Sequence, residues 1–475
     1  MRATGDGVPR QDAPSSPIRV AIIGAGPAGF YTAQALLQQE AIPVEVDLFD
    51  ALPTPFGLVR TGVAPDHPKI KAVTALYNKL AQRPEMRFFG NVEFGKDLTL
   101  EELRGFYHQI VFSNGAQADR TLDIPGEELQ GVHSAREFVA WYNGDPKHAH
   151  DRFELESKGA VVVGVGNVAA DVARILCRVH DKLAVTDIAD YALQALDESK
   201  VKTVWLLGRR GPIQAKFSTP EIRELGEMVD TQAVIPPEEL ELDEYSQAEL
   251  DAGGENDEHH RNMEALRELA ARKEPHKSRK LILRFLVSPV EILGDENGRV
   301  KGVKIVKNKL VKGADGYVSP QPTGETEILE AGLVFRSVGY RGMALPGPPF
   351  DQRKGVIPNE RGRVFDPANG EAVTGLYAAG WIKRGPSGLI GSNKACAHET
   401  AGEMMADAAA GVTLEPGRPA REEVNRLLES RGIRYITYQE WLKIDAYETE
   451  MGRKEGRPRV KLTELEDFLR VLEER

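Results

Sequence analysis

A short, β-branched apolar run that breaks into a glycine-spaced turn and resumes as a helix occurs twice in this chain, and that duplication limits its fold more than any other feature of its 475 residues. The first copy runs Ile18-Arg19-Val20-Ala21-Ile22-Ile23, then Gly24-Ala25-Gly26-Pro27-Ala28-Gly29, then a helix-forming stretch over 30–39. The second is a strand over 159–163, the turn Gly164-Val165-Gly166-Asn167-Val168-Ala169, and a helical stretch over 168–179. In each turn the first glycine permits the tight bend and the second lets a pyrophosphate approach the backbone. The third position, glycine or alanine, lets helix and strand pack closely. Free N–H groups and the helix dipole then favour an anion at the helix start.

Two copies of one phosphate-binding device imply two nucleotides and an α/β fold with two Rossmann-like dinucleotide-binding domains. The copies differ at the tip of their next strand. The strand 44–49 delivers Asp50 at its tip, 26 residues after Gly24, where a carboxylate accepts hydrogen bonds from a ribose diol. The strand Thr203-Val204-Trp205-Leu206-Leu207-Gly208 ends instead in Arg209-Arg210. Two guanidiniums bind a 2′-phosphate through charge-assisted forks, whereas an acid there would repel it. The second nucleotide is therefore expected to be NADPH.

Between the copies, Ile110-Val111-Phe112-Ser113-Asn114-Gly115 reads as a further buried strand ending in a turn, followed by a polar crossing through Pro125-Gly126. Leu376-Tyr377-Ala378-Ala379-Gly380, after the loop-rich stretch 342–367, reads as the chain returning to its first unit. The expected organisation is a tail (1–17), a first unit (18–115), a second unit inserted into it (116–341), and the remainder of the first with a C-terminal extension (342–475). Residues 236–260 are dense in Asp and Glu and read as an exposed helix or insertion.

Composition narrows the class. Apolar residues at 41% and charged residues at 28% suit a soluble globular protein, and a formal net charge of −11 argues against nucleic acid as the main partner. Cys177 and Cys396 are the only cysteines and form no C-x-x-C pair, which excludes a disulfide framework and a thiol relay. No apolar run approaches the ~18 residues needed to cross a bilayer. The leader 1–17 lacks an apolar signal core and reads as a flexible tail, and its two Asp sit poorly with a transit peptide. A cytoplasmic location is expected, with the mitochondrial matrix as the less favoured alternative.

Longer strings carry a resemblance. PFGLVR at 55–60, VAPDHP at 63–68, GVGNVAADVAR at 164–174, GRRGP at 208–212 and GWIKRGPSGLIGSNKACA at 380–397 resemble, in the same order, the adrenodoxin-reductase type of ferredoxin-NADP reductase. The resemblance implies FAD in the first unit, touched by Gly24, Gly26, Ala28, Gly29, Asp50, Leu58 and Val92, and by Trp381, Gly388, Leu389 and Ile390 from the returning segment. It implies NADP on Gly164, Gly166, Asn167 and Val168, with Arg209 and Arg210 on the 2′-phosphate, Glu221, and Gly388 near the nicotinamide. Trp381 stands where many two-dinucleotide flavoproteins carry an aspartate. Pro220 stands where the pattern has another residue, though proline is comfortable in a helix's first turn.

By the same resemblance, a hydride passes from NADPH to FAD and single electrons leave for a ferredoxin-type iron-sulfur protein. His67 and Glu224 are expected to hold the nicotinamide or relay a proton, and no metal is expected. The stretch 272–284, with Arg272, Lys273, Lys277, Arg279, Lys280 and Arg284 against the single acid Glu274, has a local charge of +5 and is the expected docking face for an acidic partner. Competing readings are a flavin monooxygenase and an electron-transfer subunit of a larger complex. The absence of cysteine clusters disfavours the second.

Overall fold

The computed structural model describes residues 16–254, 257–272 and 277–474. Its first large sheet has the strand order Asn359–Glu360, Arg363–Phe365, Ala372–Ala378, Gln109–Phe112, Ile18–Ile23, Val44–Phe49, Met86–Phe89. From Ala372–Ala378 to Met86–Phe89 every pairing is parallel. A parallel strand is covered on both faces, which is why Ile18–Ile23 is buried throughout and reads as an unbroken apolar run. Val20 and Ile22 face a core shared with the helices Pro27–Gln38 and Ser392–Ala409, while Ala21 and Ile23 face one shared with Leu100–Phe106 and Glu423–Ser430. Arg19, the polar exception, is buried with its Nη2 2.6 Å from Asp47.

The second sheet runs Val132–Ser134, Leu333–Arg336, Gly159–Val163, Thr203–Leu207, Arg279–Arg284, Thr231–Val234, again in parallel. Helices Ala135–Tyr142 and Asn167–Cys177 cover one face. An antiparallel sheet of Val287–Gly294, Val300–Lys312 and Val318–Leu329 packs on the other through Val303, Ile305 and Leu329. All of this second unit lies between the two portions of the first. The outgoing and returning chains pair as a short antiparallel ribbon, Ala118–Asp119 with Tyr340–Arg341, slightly ahead of the crossing read from Pro125-Gly126.

Several expected elements shift at their ends. The helix after the first turn starts at Pro27, where a proline's fixed φ suits the first helical position. The strand expected over 110–115 stops at Phe112, because the Ser113 hydroxyl turns back to the carbonyl of Gly24 at 2.9 Å. The acidic segment 236–260 is more than a solvated run. Buried Glu239 accepts hydrogen bonds from Arg284 Nε and Phe285 N, both at 2.5 Å, and Leu250 packs with Ile213 and Met263.

Candidate functional site

Both glycine turns present bare helix starts. The helices Pro27–Gln38 and Asn167–Cys177 are capped by Gly26 and Gly166, neither of which has a side chain to satisfy the first N–H groups, and neither helix has an acid in its first turn. Those donors are left for an anion. A Cβ added at Gly26 or Gly166 would meet no atom within 4 Å, whereas one at Gly29 would lie 2.2 Å from the carbonyl oxygen of Gly24. The middle glycines therefore face open cradles and Gly29 is fixed by helix–strand packing.

At the first turn, the Asp50 carboxylate accepts from Ala25 N at 2.7 Å and Leu52 N at 2.9 Å, and Val92 N donates to the Asp50 carbonyl at 2.9 Å. Burial pushes the Asp50 carboxyl upward, against the lowering effect of those two backbone donors. Just beyond the strand Gln109–Phe112, both amide atoms of Asn114 are buried with no hydrogen-bond partner in the protein. A buried amide in that condition fits a site completed by a ligand. Sequence reasoning passed over Asn114, since an asparagine before glycine reads simply as a turn.

The returning segment closes over this turn. Gly380, at φ +73°, lies so near Ala28 that an added Cβ would sit 2.5 Å from the alanine's. Trp381 follows, its ring stacked 5.9 Å from Tyr340 and its indole N–H donating to Ser387 O at 3.1 Å. Leu58 is 44% exposed and Leu389 is 68% exposed, while Ile390 packs on the first unit's core. The structure thus offers a polar cradle for a pyrophosphate, an acid for a diol and bare apolar side chains. That donor set fits FAD.

At the second turn, Asn167 Oδ1 accepts from Ser218 N at 2.8 Å, which ties the turn to the start of the helix Thr219–Gly226. Pro220 sits comfortably in the first turn of that helix. Val168 is half-buried and Arg209 is exposed. Arg210 lies over the ring of Tyr317, 5.1 Å from its centroid, and donates to the phenolic oxygen. Tyr317 comes from the turn between Val300–Lys312 and Val318–Leu329, 107 positions away, and carries no sequence signal.

Between the units, His67 Nε2 lies 2.7 Å from Glu224 Oε2, while its Nδ1 lies 3.9 Å from Asp171 and 4.0 Å from Glu221. Buried Arg174 organises these acids, reaching Asp66 at 2.8 and 3.0 Å, Asp171 at 2.6 Å and Glu221 at 3.1 Å. Burial raises the Asp66 carboxyl, but the hydrogen bonds and charge of Arg174, with the charge of Arg178, outweigh it and hold Asp66 down at about 2. For Glu221 burial wins, reinforced by Asp171 and opposed by Arg174 and His67, and its carboxyl is pushed up to about 7. Glu221, read from the resemblance as an NADP contact, here bonds to Arg174. Asp66, Asp171 and Arg174 had no assigned role in the sequence, although the strings VAPDHP and GVGNVAADVAR contain all three.

The basic stretch is largely spent on its own molecule. Arg279 donates to the carbonyls of Cys177 and Arg178 at a helix C-terminus, and Lys277 to those of Met228 and Thr231. Arg272 bonds Gly226 O, and Arg284 pairs with Glu239 and Glu327. Lys280 is exposed, and Lys273 lies outside the described residues.

Residues 18–206 match the model of a family described as pyridine nucleotide-disulphide oxidoreductase. Both cysteines here are free, and burial pushes the Cys177 thiol up to about 12, so the disulfide chemistry in that description has no counterpart in this chain. Over 96% of its length the chain is 41% identical to the mitochondrial NADPH:adrenodoxin oxidoreductase of Arabidopsis thaliana, covering 96% of that protein. It is 42% identical to the NADPH-ferredoxin reductase FprA of Mycobacterium tuberculosis, covering 96% of this chain and 99% of that one. The solved structure of that FprA in complex with NADPH superposes with a TM-score of 0.89, covering 96% of this chain and 100% of that chain. The chain belongs to the family of NADPH:adrenodoxin oxidoreductases and NADPH-ferredoxin reductases.

Proposed function

We propose that this protein is an NADPH-dependent flavoprotein reductase that passes electrons to a ferredoxin-type iron-sulfur protein. The observation that carries this reading is the pair of bare glycine-turn helix starts, one followed by Asp50 and the other by Arg209-Arg210. FAD, when bound, accepts a hydride from NADPH and releases the two electrons singly to an iron-sulfur centre, which takes one at a time.

The residues do the holding. Gly24, Gly26, Ala28 and Gly29 receive the FAD pyrophosphate, Asp50 its ribose, and Leu58, Val92, Trp381, Gly388, Leu389 and Ile390 the remainder. Gly164, Gly166, Asn167 and Val168 receive the NADP pyrophosphate, Arg209 and Arg210 the 2′-phosphate, and Gly388 and Glu221 the nicotinamide side. His67 and Glu224, hydrogen-bonded between imidazole Nε2 and carboxylate Oε2, steady the nicotinamide pocket, backed by Arg174. We place the unit boundaries near 116 and 342, beside the ribbon that joins the units.

For the acceptor, Lys280, exposed as Arg272 is but without that residue's bond to a backbone carbonyl, is the point at which an acidic partner is proposed to dock. Among the described residues no helix is long and apolar enough to cross a membrane. A cytoplasmic site is our reading of two free, unpaired thiols, which suit a reducing compartment.

Purified protein should show flavin absorbance that bleaches on titration with NADPH and recovers with ferredoxin-coupled cytochrome reduction. Protein without flavin bands, or bleached equally well by NADH, would defeat the reading.

A further inference from the structure

The C-terminal extension does more than cover the first sheet. Its helix Tyr438–Glu455 packs Trp441 edge-on against Phe56 at 5.9 Å, with the guanidinium of Arg60 5.1 Å from the Trp441 ring centroid. Fully buried Glu448 on that helix receives Arg60 at 2.9 and 2.6 Å, Arg459 at 3.0 Å and Leu462 N at 2.9 Å. The segment 457–462 is thereby pinned to the first unit.

From there it reaches into the second. Lys461, whose side chain is wholly buried, places its ammonium 3.2 Å from Arg60 O in the first unit, 3.2 Å from Asn143 Oδ1 and 3.4 Å from Asp187 Oδ2 in the second. Three N–H donors thus meet three acceptors, drawn from both units. Asp187 is also gripped from the first unit by Lys71, at 2.6 and 2.8 Å. Arg457 reaches Asp190 Oδ1 at 2.5 Å, next to this group. Burial raises the Asp187 carboxyl, but Lys461 and Lys71 outweigh it and hold it at about 2, while burial pulls the Lys461 amine well below its ordinary range against the opposing charge of Asp187.

We infer that Lys461 and Asp187 form an interdomain clamp that fixes the angle between the two nucleotide-binding units, making Lys461 a positioning residue for electron transfer. The inference rests on the proposed assignment of FAD to the first unit and NADPH to the second. Each unit has its own core, the covalent link between them is a two-stranded ribbon, and Asp66–Arg174 joins them at one further place, so a second fixed point is needed to set their mutual angle. A buried amine bonded to acceptors in both units resists such motion, because any rotation strips it of partners where solvent is largely excluded. None of its contacts is a residue of either glycine turn. Loosening it leaves both nucleotide sites intact and changes only their mutual geometry, on which reaction between two bound groups depends steeply.

The test uses the full-length holoprotein and the variants Lys461→Met and Asp187→Asn. FAD content and the dissociation constant for 2′,5′-ADP are expected to stay within about two-fold of the unmodified protein. The rate of flavin bleaching at saturating NADPH should fall by ~10-fold or more, the order of loss that small misplacements of reacting groups cause. Lys461→Arg, which keeps the charge, should recover part of that rate. Unchanged bleaching in Asp187→Asn, which preserves shape, overturns the clamp. So does a loss of FAD or 2′,5′-ADP binding in step with the rate, which would make the cluster ordinary packing. Failure of the nucleotide assignment would be seen separately, as unmodified protein that carries no flavin or does not bind 2′,5′-ADP.

Discussion

Asp66 and Arg174 form a buried two-pronged ion pair, 2.8 and 3.0 Å, that stitches the loop between the first unit's short helices Leu58–Thr61 and Pro68–Lys71 to the helix that begins at the second unit's glycine turn. Its partners Asp171 and Glu221 crowd the same guanidinium, so four charged groups share one dry pocket. Removing Asp66 still leaves Arg174 with Asp171 and Glu221, so the loss is that of Asp66's own interaction, about 2 kcal/mol for a carboxyl held from 3.8 down to about 2. Asp66→Asn is expected to lower stability by about that order in urea unfolding at pH 7.

The same pair sets an acid limit. Because the folded carboxyl of Asp66 is held at about 2, below its ordinary value of 3.8, its contribution is complete above about pH 4 and is lost as pH falls through 2. The stability difference between the unmodified protein and Asp66→Asn should therefore shrink between pH 4 and 2. A constant difference across that window would count against the assignment.

Glu221 runs in the opposite direction. Its carboxyl is raised from 4.5 to about 7, chiefly by burial and then by Asp171, so the fold binds its proton more tightly than the unfolded chain does. Stability should fall as pH rises from about 4.5 to 7 and level off above that. Glu221→Gln, which stays neutral, should flatten this segment of the profile, read from urea midpoints at pH 5 and pH 8.

Among the described residues neither Arg209 nor Arg210 forms a salt bridge, and on the proposed assignment a 2′-phosphate is their charged partner. With charge-assisted contacts worth roughly 1.5–3 kcal/mol each, replacing both by Ala is expected to raise KM for NADPH ten-fold or more and to leave NADH nearly unchanged. Tyr317→Ala, which removes the ring beneath Arg210, should shift the NADPH value in the same direction but less. Unaltered preference for NADPH in the double variant would place 2′-phosphate recognition elsewhere.

Gly26→Val tests the flavin cradle. A Cβ added there meets no atom beyond its chain neighbours within 4 Å, and the fold should survive the substitution. The space it fills is where a pyrophosphate meets the backbone. The variant should be folded by circular dichroism but colourless.

The basic stretch separates docking from packing. Lys280→Glu should slow ferredoxin-dependent cytochrome reduction at low salt and leave dye reduction intact, an effect that added salt erases. Arg279→Glu removes a cation from helix-end carbonyls and should instead lower stability and both activities together.

Periodicity and glycine spacing were enough to read the two strand–turn–helix units from sequence, because each is built from consecutive elements: Ile18–Ile23 lies next to Val44–Phe49, paired at an offset of 26 residues, and Gly159–Val163 next to Thr203–Leu207, paired at an offset of 44. The choice of NADPH was legible for the same reason, since Arg209-Arg210 directly end a strand. His67 and Glu224 were named from the family resemblance, but their meeting at 2.7 Å across 157 positions is a fact of domain packing. The unpartnered amide of Asn114, the Tyr317 ring under Arg210, and the Lys461 ammonium shared between units were decided by tertiary structure alone. A side chain's burial and partners depend on elements far away in the chain, and no local pattern encodes them. The same holds for Arg279 and Arg284, which read as one charged face in sequence and are turned by the fold toward carbonyls and carboxylates of their own molecule.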